Sequence, residues 1–364
     1  MVKTAEFLWY IPNQAVAGHR GDVADADHNS LATLTAQARA IEAHGWEGAL
    51  LGAGWGRPDC FTVATALAAV TRTFSPLVAI RPGYWHPAQF ASAAATLDHL
   101  SGGRLRINII SGRDEFEAYG DTLADQAQRY ERTAEFMALV RRLWRETSVT
   151  HEGRFYAVQN STAEPRLTPK AGRAHPRFYF GGASDAAERV AAAQADVQLF
   201  WGEPRSAIAE RIARLRDLSA RSDRDLPPLE FGLRVTTLVR ETREEAWRDA
   251  TAKVARMAQI EGAGWHDHRR VVAHGQQRLL DLQAQGEVLD ECLYTTPGRF
   301  GAGGAATTWL VGSVEDVAQA LAAYHRLGVT SFILSDTPYI EQIDYQGRHL
   351  LPRLRALLAE TVPA

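Results

Sequence analysis

The stretch Pro176–Pro204, PRFYFGGASDAAERVAAAQADVQLFWGEP, limits the possible folds of this chain more than any other. Its apolar run Phe178–Phe180 is too short for a helix and is stopped by Gly181-Gly182, the pattern of a buried strand. Ser184 and Asp185 stand where a helix N-cap belongs, and Ala186–Ala195 is dense in strong helix formers. Val197–Trp201 is a second apolar strand, closed by Gly202 and Pro204. Strand, glycine turn, capped helix and strand together make a right-handed βαβ crossover. The two glycines let a ligand approach the backbone, and the N–H groups of the helix start favour an anion such as a phosphate. The same residues also suit an ordinary βα loop whose serine caps its helix.

The rhythm repeats along the chain. Apolar runs at Phe7–Ile11, Gly48–Leu51, Pro76–Ile80, Leu105–Ile110, Phe178–Phe180, Val197–Trp201, Glu230–Val239 and Ser331–Ser335 alternate with amphipathic helical stretches. That alternation predicts a parallel sheet, and eight units predict a closed (β/α)8 barrel, an α/β TIM-barrel fold in one domain over residues 1–364. A doubly wound open sheet is the alternative, but no G-x-G-x-x-G follows the first strand. Gln259–Thr307 breaks the rhythm. It is long, ends in GRFGAGGAATT and follows strand 7, so it is expected to be a lid inserted in the barrel or a mobile surface insertion.

Composition removes several function classes. A net charge of −3 provides no basic face for nucleic acid, and no apolar run approaches the ~18 residues of a membrane span. Without a charged-then-apolar leader, the chain is expected in the cytoplasm. Cys60 and Cys292 are the only cysteines, too few for a disulfide framework. If the fold is a barrel, the site lies at the C-terminal ends of its strands. Those ends carry Asn13 and Gln14, then Trp55, Arg57 and Cys60, then Arg81 and Tyr84–His86, then Asn108, Ser111 and Arg113. Strands 5–8 add Gly182–Asp185, Trp201, Arg234 with Thr236, and Ser335–Tyr339. The rim is aromatic, amide and guanidinium.

No lysine ends a strand, so Schiff-base chemistry has no candidate. The only His-x-His, at His266 and His268, falls in the insertion, where a solvated loop is the plainer explanation and no metal site is expected. Paired carboxylates for glycoside cleavage are missing, and Cys60 suits a buried inert thiol. What remains is a site that binds a flat, anionic cofactor and lets it supply the chemistry.

The segments FLWYIPN, VAIRPG, ATLDHLSGGRLRINIISG, QRYERTAEF, PRFYFGGASDAA, WGEP and LVRETREEAW resemble the bacterial-luciferase-like flavin monooxygenases, nearest the alkanesulfonate and dialkyl sulfone monooxygenases. The resemblance spans nearly the whole chain. It implies a barrel that binds reduced FMN, supplied by an NAD(P)H-dependent flavin reductase, and forms a C4a-hydroperoxyflavin with O2 to oxygenate a small organic, organosulfur-type substrate. It implies that Gly182, Ala183 and Ser184 cradle the FMN phosphate with Tyr130, and that Gln126 stands where many relatives have a histidine. It sets Asn108 against the isoalloxazine ring, and Arg234 and the lid residue Arg299 near the reacting oxygen. Trp55, Trp85 and Trp201 are expected as apolar walls or as core packing, and a homodimer or tetramer is expected.

Departures from the sulfonate enzymes are clear. Thr236 and Tyr339 replace histidines, and Gln14 stands near an expected first-strand histidine; these three are expected to contact substrate. A deazaflavin-dependent oxidoreductase of the same fold and a non-catalytic flavin-binding protein remain the alternative functions.

Overall fold

A computed structural model describes residues 5–13, 27–54, 56–112, 116–123, 125–170, 172–262, 274–300 and 307–360. Eight strands form the closed parallel barrel: β1 (Glu6–Ile11), β2 (Gly48–Leu51), β3 (Ser75–Ile80), β4 (Arg106–Ile109), β5 (Phe178–Gly181), β6 (Val197–Trp201), β7 (Glu230–Arg234) and β8 (Val329–Leu334). Each strand pairs with its sequence neighbours, and β1 pairs with β8 to close the ring. All eight strands lie where the apolar runs predict them.

Around the barrel run helices α1 (Leu31–Ala43), α2 (Cys60–Ala69), α3 (Pro87–Leu100), α4 (Gln126–Arg145), α5 (Asp185–Gln194) and α6 (Arg205–Arg221). Later in the chain come α7 (Arg243–Gly262), α8 (His274–Gln285), α9 (Val314–Leu327) and α10 (Tyr339–Glu360). Side-chain oxygens cap several of them, as in Ser30 to the Thr33 N–H and Asp125 to the Gln128 N–H. Among the described residues no helix is long and apolar enough to cross a membrane.

Strand alternation separates two cores. Leu8, Tyr10, Leu50, Leu77, Ala79, Tyr179, Val197, Leu199 and Ile333 fill the barrel interior. Their neighbours in sequence, among them Phe7, Trp9, Val78, Phe180 and Phe200, pack outward against the helices. The barrel floor is ionic. Glu6 pairs with Arg106 at 2.9 Å and accepts hydrogen bonds from the Tyr179 and Ser331 hydroxyls, while Arg177 meets Glu230 at 2.5 Å. Burial raises the Glu6 pKa, but Arg106, Arg177 and the two hydroxyls outweigh it and hold the carboxyl below its ordinary range.

Two departures from the expected elements occur together. The run Glu230–Val239 is not one strand: β7 ends at Arg234, and Thr236–Arg240 leaves the barrel for a second sheet. There it pairs in parallel with Trp309–Ser313, a strand the sequence pattern does not single out, which in turn pairs with Leu293–Tyr294. The segment Gln259–Thr307 is correspondingly not one loop. It holds the end of α7, α8, the short strands Val288–Leu289 and Leu293–Tyr294, and the turn Thr296–Arg299. Leu238, Ala246, Ala250, Val254, Tyr294, Trp309 and Val311 form an apolar cluster that packs this second sheet, the annex, against α7. Residues 263–273 and 301–306, with His266 and His268, lie outside the described residues.

The annex is fastened to the barrel by charge. Lys253 of α7 donates to Asp336 Oδ1 at 3.0 Å, and Arg240 meets Asp336 Oδ2 at 3.0 Å. Burial raises the Asp336 pKa, yet the two cations more than offset it and hold the group below the usual carboxylate range. A depressed pKa stabilises the fold above the unfolded value and ceases to do so as pH falls through the folded one. Removing one partner of a buried pair costs about 3–5 kcal/mol. Lys253→Met should therefore lower unfolding stability by about 3 kcal/mol at pH 7, and by less below about pH 4, where Asp336 protonates in the unfolded chain. Urea unfolding at both pH values checks this; an equal loss at both contradicts it.

Candidate active site

The closed floor leaves the C-terminal end of the barrel as the place for a ligand. At β1, Tyr10 points inward and Asn13 turns the chain with φ +47°. The Asn13 Nδ2 donates to Gly52 O (3.2 Å) and Pro58 O (2.7 Å), fixing the β2 loop, and its buried Oδ1 has no hydrogen-bond partner among the described residues. Cys60 donates its thiol hydrogen to Ala79 O, and burial pushes its pKa up to about 12, so it is a packed thiol and not a nucleophile. Arg81, at the end of β3, donates to Gly112 O at 2.8 Å and so ties the β3 and β4 loops together.

Asn108 stands in register with Ala79 and Tyr179, both interior residues, so its side chain enters the barrel. It is 7% exposed, and its Oδ1 has no hydrogen-bond partner among the described residues. A buried amide oxygen without a donor costs free energy unless a ligand N–H meets it. Beyond β4, Ser111 and Thr133 share a 2.6 Å hydrogen bond that sets α4 against the barrel. Tyr130 of α4 is buried edge-on to Phe180, with ring centroids 6.4 Å apart, beside the turn that follows β5. Gln126 lies exposed one turn earlier on α4.

The turn after β5 has the features of a cradle. A Cβ on Gly181 would meet nothing within 4 Å, leaving open space above the barrel. A Cβ on Gly182 would lie 2.5 Å from Ala187 Cβ, so only glycine lets α5 start so close to the strand. Ser184 caps α5 by accepting from Ala187 N at 3.3 Å, and the first N–H groups of α5 have no intrahelical acceptor.

Across the mouth, Trp201 and Arg234 are paired residues of β6 and β7. The Arg234 guanidinium lies 4.5 Å from the Tyr10 ring centroid. Tyr10 is the mouth residue that sequence reasoning missed, because in a strand buried on both faces FLWYI shows no alternation. Asn108, Gly182–Ser184, Trp201 and Arg234 all stand at this end of the barrel, with Tyr130 beside the turn.

Other expected residues lie elsewhere. Thr236, the first residue past the break in β7, is fully buried with its Oγ1 3.4 Å from Thr307 Oγ1. Trp85 packs on Phe61 and Phe90, at centroid distances of 5.5 and 5.7 Å, in the layer between barrel and helices. Tyr339 opens α10 half-buried against that same layer. Arg299 is exposed, its guanidinium 4.6 Å from the ring centroid of Phe300 in the annex cluster. Gln14 and Trp55 lie outside the described residues. Among the described residues no His, Cys, Asp and Glu cluster could hold a metal ion.

Comparison with solved structures finds the same fold. DmoA of Hyphomicrobium sulfonivorans aligns with a TM-score of 0.76 at 18% identity, over 97% of this chain and 88% of that one. The oxygenating constituent of 3,6-diketocamphane monooxygenase from Pseudomonas putida, in complex with FMN, aligns at 0.69 and 15% identity, over 96% and 99%. The coenzyme F420-dependent tetrahydromethanopterin reductase of Methanopyrus kandleri aligns at 0.68 and 15%, over 97% and 100%. A family model described as luciferase-like monooxygenase matches residues 5–331. Barrel, mouth and family match agree: the chain belongs to the luciferase-like monooxygenase family and is an oxidoreductase of that monooxygenase class.

Proposed function

We propose that this enzyme is the oxygenase component of a two-component system that takes reduced FMN from an NAD(P)H-dependent flavin reductase and oxygenates a small organosulfur-type substrate. The observation that supports it most is the pairing of a glycine-and-helix-start cradle with the unpartnered Asn108 Oδ1 deeper in the mouth. The two features suit the two ends of FMN, an anionic phosphate and a ring system bearing N–H donors. Gly182, Ala183 and Ser184 would hold the phosphate, with Tyr130 beside them and Gln126 at the rim, and Asn108 would meet the ring. When bound, the reduced flavin supplies the activation of O2.

The chain's own residues would do the rest. Arg234, held against Tyr10, would anchor the substrate and stabilise negative charge developing on an oxygen. Trp201 and Tyr10 would present apolar surface there, excluding water so that oxygen transfer outruns peroxide release. Segment 259–307 would cover the mouth, with Arg299 reaching it by movement of that segment. The likeness to an F420-dependent reductase makes a deazaflavin the second candidate cofactor. An anaerobic titration with each reduced cofactor separates the two.

Ser184→Asp tests the cradle. Aspartate caps helices as well as serine does, so the fold should persist, while its carboxylate opposes a phosphate at the helix start. FMN affinity should fall about tenfold, equivalent to 1.4 kcal/mol, with riboflavin affinity unchanged. Equal losses for both ligands, or none for FMN, contradict the assignment.

In place of the histidines of the sulfonate enzymes this chain carries Thr236 and Tyr339, so the segments that follow β7 and β8 bring no chargeable imidazole toward the mouth at those positions. Short-chain alkanesulfonates should therefore be poor substrates at pH 7 in a coupled assay with a generic flavin reductase, and uncharged sulfones better ones. Efficient sulfonate turnover contradicts this.

A further inference from the structure

We infer that Arg211 and Gln198 are positioning residues that lock the peptide between Gly182 and Ala183 with its N–H facing the phosphate. The proposal rests on the FMN assignment of this mouth and names the device that would make the cradle selective. It begins with a carbonyl. Gly182 O accepts two hydrogen bonds, from Gln198 Nε2 at 3.0 Å and from Arg211 Nη2 at 2.8 Å. Gln198 is fully buried and stands in register with Phe180 and Phe231, which both belong to the layer between barrel and helices. Both donors therefore pull the Gly182 carbonyl away from the barrel axis. In a planar trans peptide the C=O and the following N–H point in opposite directions. The Ala183 N–H is thereby turned toward the mouth.

The clamp matters because of the glycine. Gly182 is required by the close start of α5, yet glycine also allows the peptide to rotate at little cost. Rotated, the same peptide would direct a carbonyl oxygen at the phosphate, replacing an attraction with a repulsion. Two donors on one carbonyl remove that freedom.

Arg211 is itself rigidly held. It is 3% exposed, donates to Glu188 Oε1 at 3.0 Å and Glu203 Oε1 at 2.5 Å, and lies 4.7 Å from the Phe200 ring centroid. Glu188 is fixed from its other side by Arg214 at 2.6 Å, and Glu203 by Arg278 of α8. The clamp thus joins β6, α5, α6 and the annex at one peptide.

The experiment measures FMN and riboflavin dissociation constants by fluorescence quenching for the wild type, Gln198→Met and Arg211→Lys, with circular dichroism as the check of fold. Methionine keeps the length and burial of Gln198 but removes its donor. Lysine keeps the charge facing Glu188 and Glu203 but lacks the planar fork that meets three acceptors at once. Each variant should raise the FMN constant about tenfold, the size of one lost hydrogen bond, and leave the riboflavin constant unchanged. Unchanged FMN binding in folded variants overturns the proposal, as does an equal loss for both ligands, which would mark a merely structural role. If Arg211→Lys does not fold, Gln198→Met decides alone. A wild type that does not prefer FMN over riboflavin overturns the FMN assignment itself, and the clamp with it.

Discussion

Closure of the eight-stranded parallel sheet is the constraint on which the rest of the structure depends. A ring of parallel strands buries both faces of every strand, so its residues must divide between an inner and an outer core. The inner core here is small, nine apolar residues resting on the Glu6–Arg106 floor. Asn108 stands in register with Ala79 and Tyr179 of that core, and Trp201 and Arg234 lie two residues beyond Leu199 and Gly232 toward the mouth. Direction follows from closure: the strands are parallel, so every loop that carries chemistry emerges on one side.

The cradle after β5 depends on the same geometry at shorter range. A strand that stops at Gly181 and a helix that starts at Asp185 leave three residues to reverse the chain. Only glycine at 182 tolerates the contact with Ala187, and only a second set of residues behind the strand can fix which way its peptide faces. Selectivity for an anion would then reside in hydrogen bonds the ligand never touches.

The barrel was legible in the sequence because its signals are local. Apolar runs bounded by glycine and proline mark all eight strands, and Ser184 marks a helix start that the structure bears out as a cap. What was not legible depends on partners far along the chain. Thr236–Arg240 looks like the continuation of β7 until Trp309–Ser313 draws it into another sheet. Tyr10 is hidden in a strand whose two faces are equally apolar. Arg211 is 29 residues from the carbonyl it holds, and nothing in its surroundings within α6 distinguishes it from neighbouring arginines. Trp85, expected as a pocket wall or as core packing, packs on Phe61 and Phe90 and also borders a surface cleft with Pro82, Tyr84 and His86.

In the proposed function this mouth holds reduced FMN and shelters its reaction with O2. The most direct measurement is stopped-flow mixing of anaerobic protein and stoichiometric reduced FMN with oxygenated buffer, following oxidised-flavin absorbance and hydrogen peroxide together. Bound in this mouth, reduced FMN should return to oxidised flavin and release peroxide more slowly than free reduced FMN does. Reoxidation at the rate of free flavin, with peroxide released in step, would contradict it.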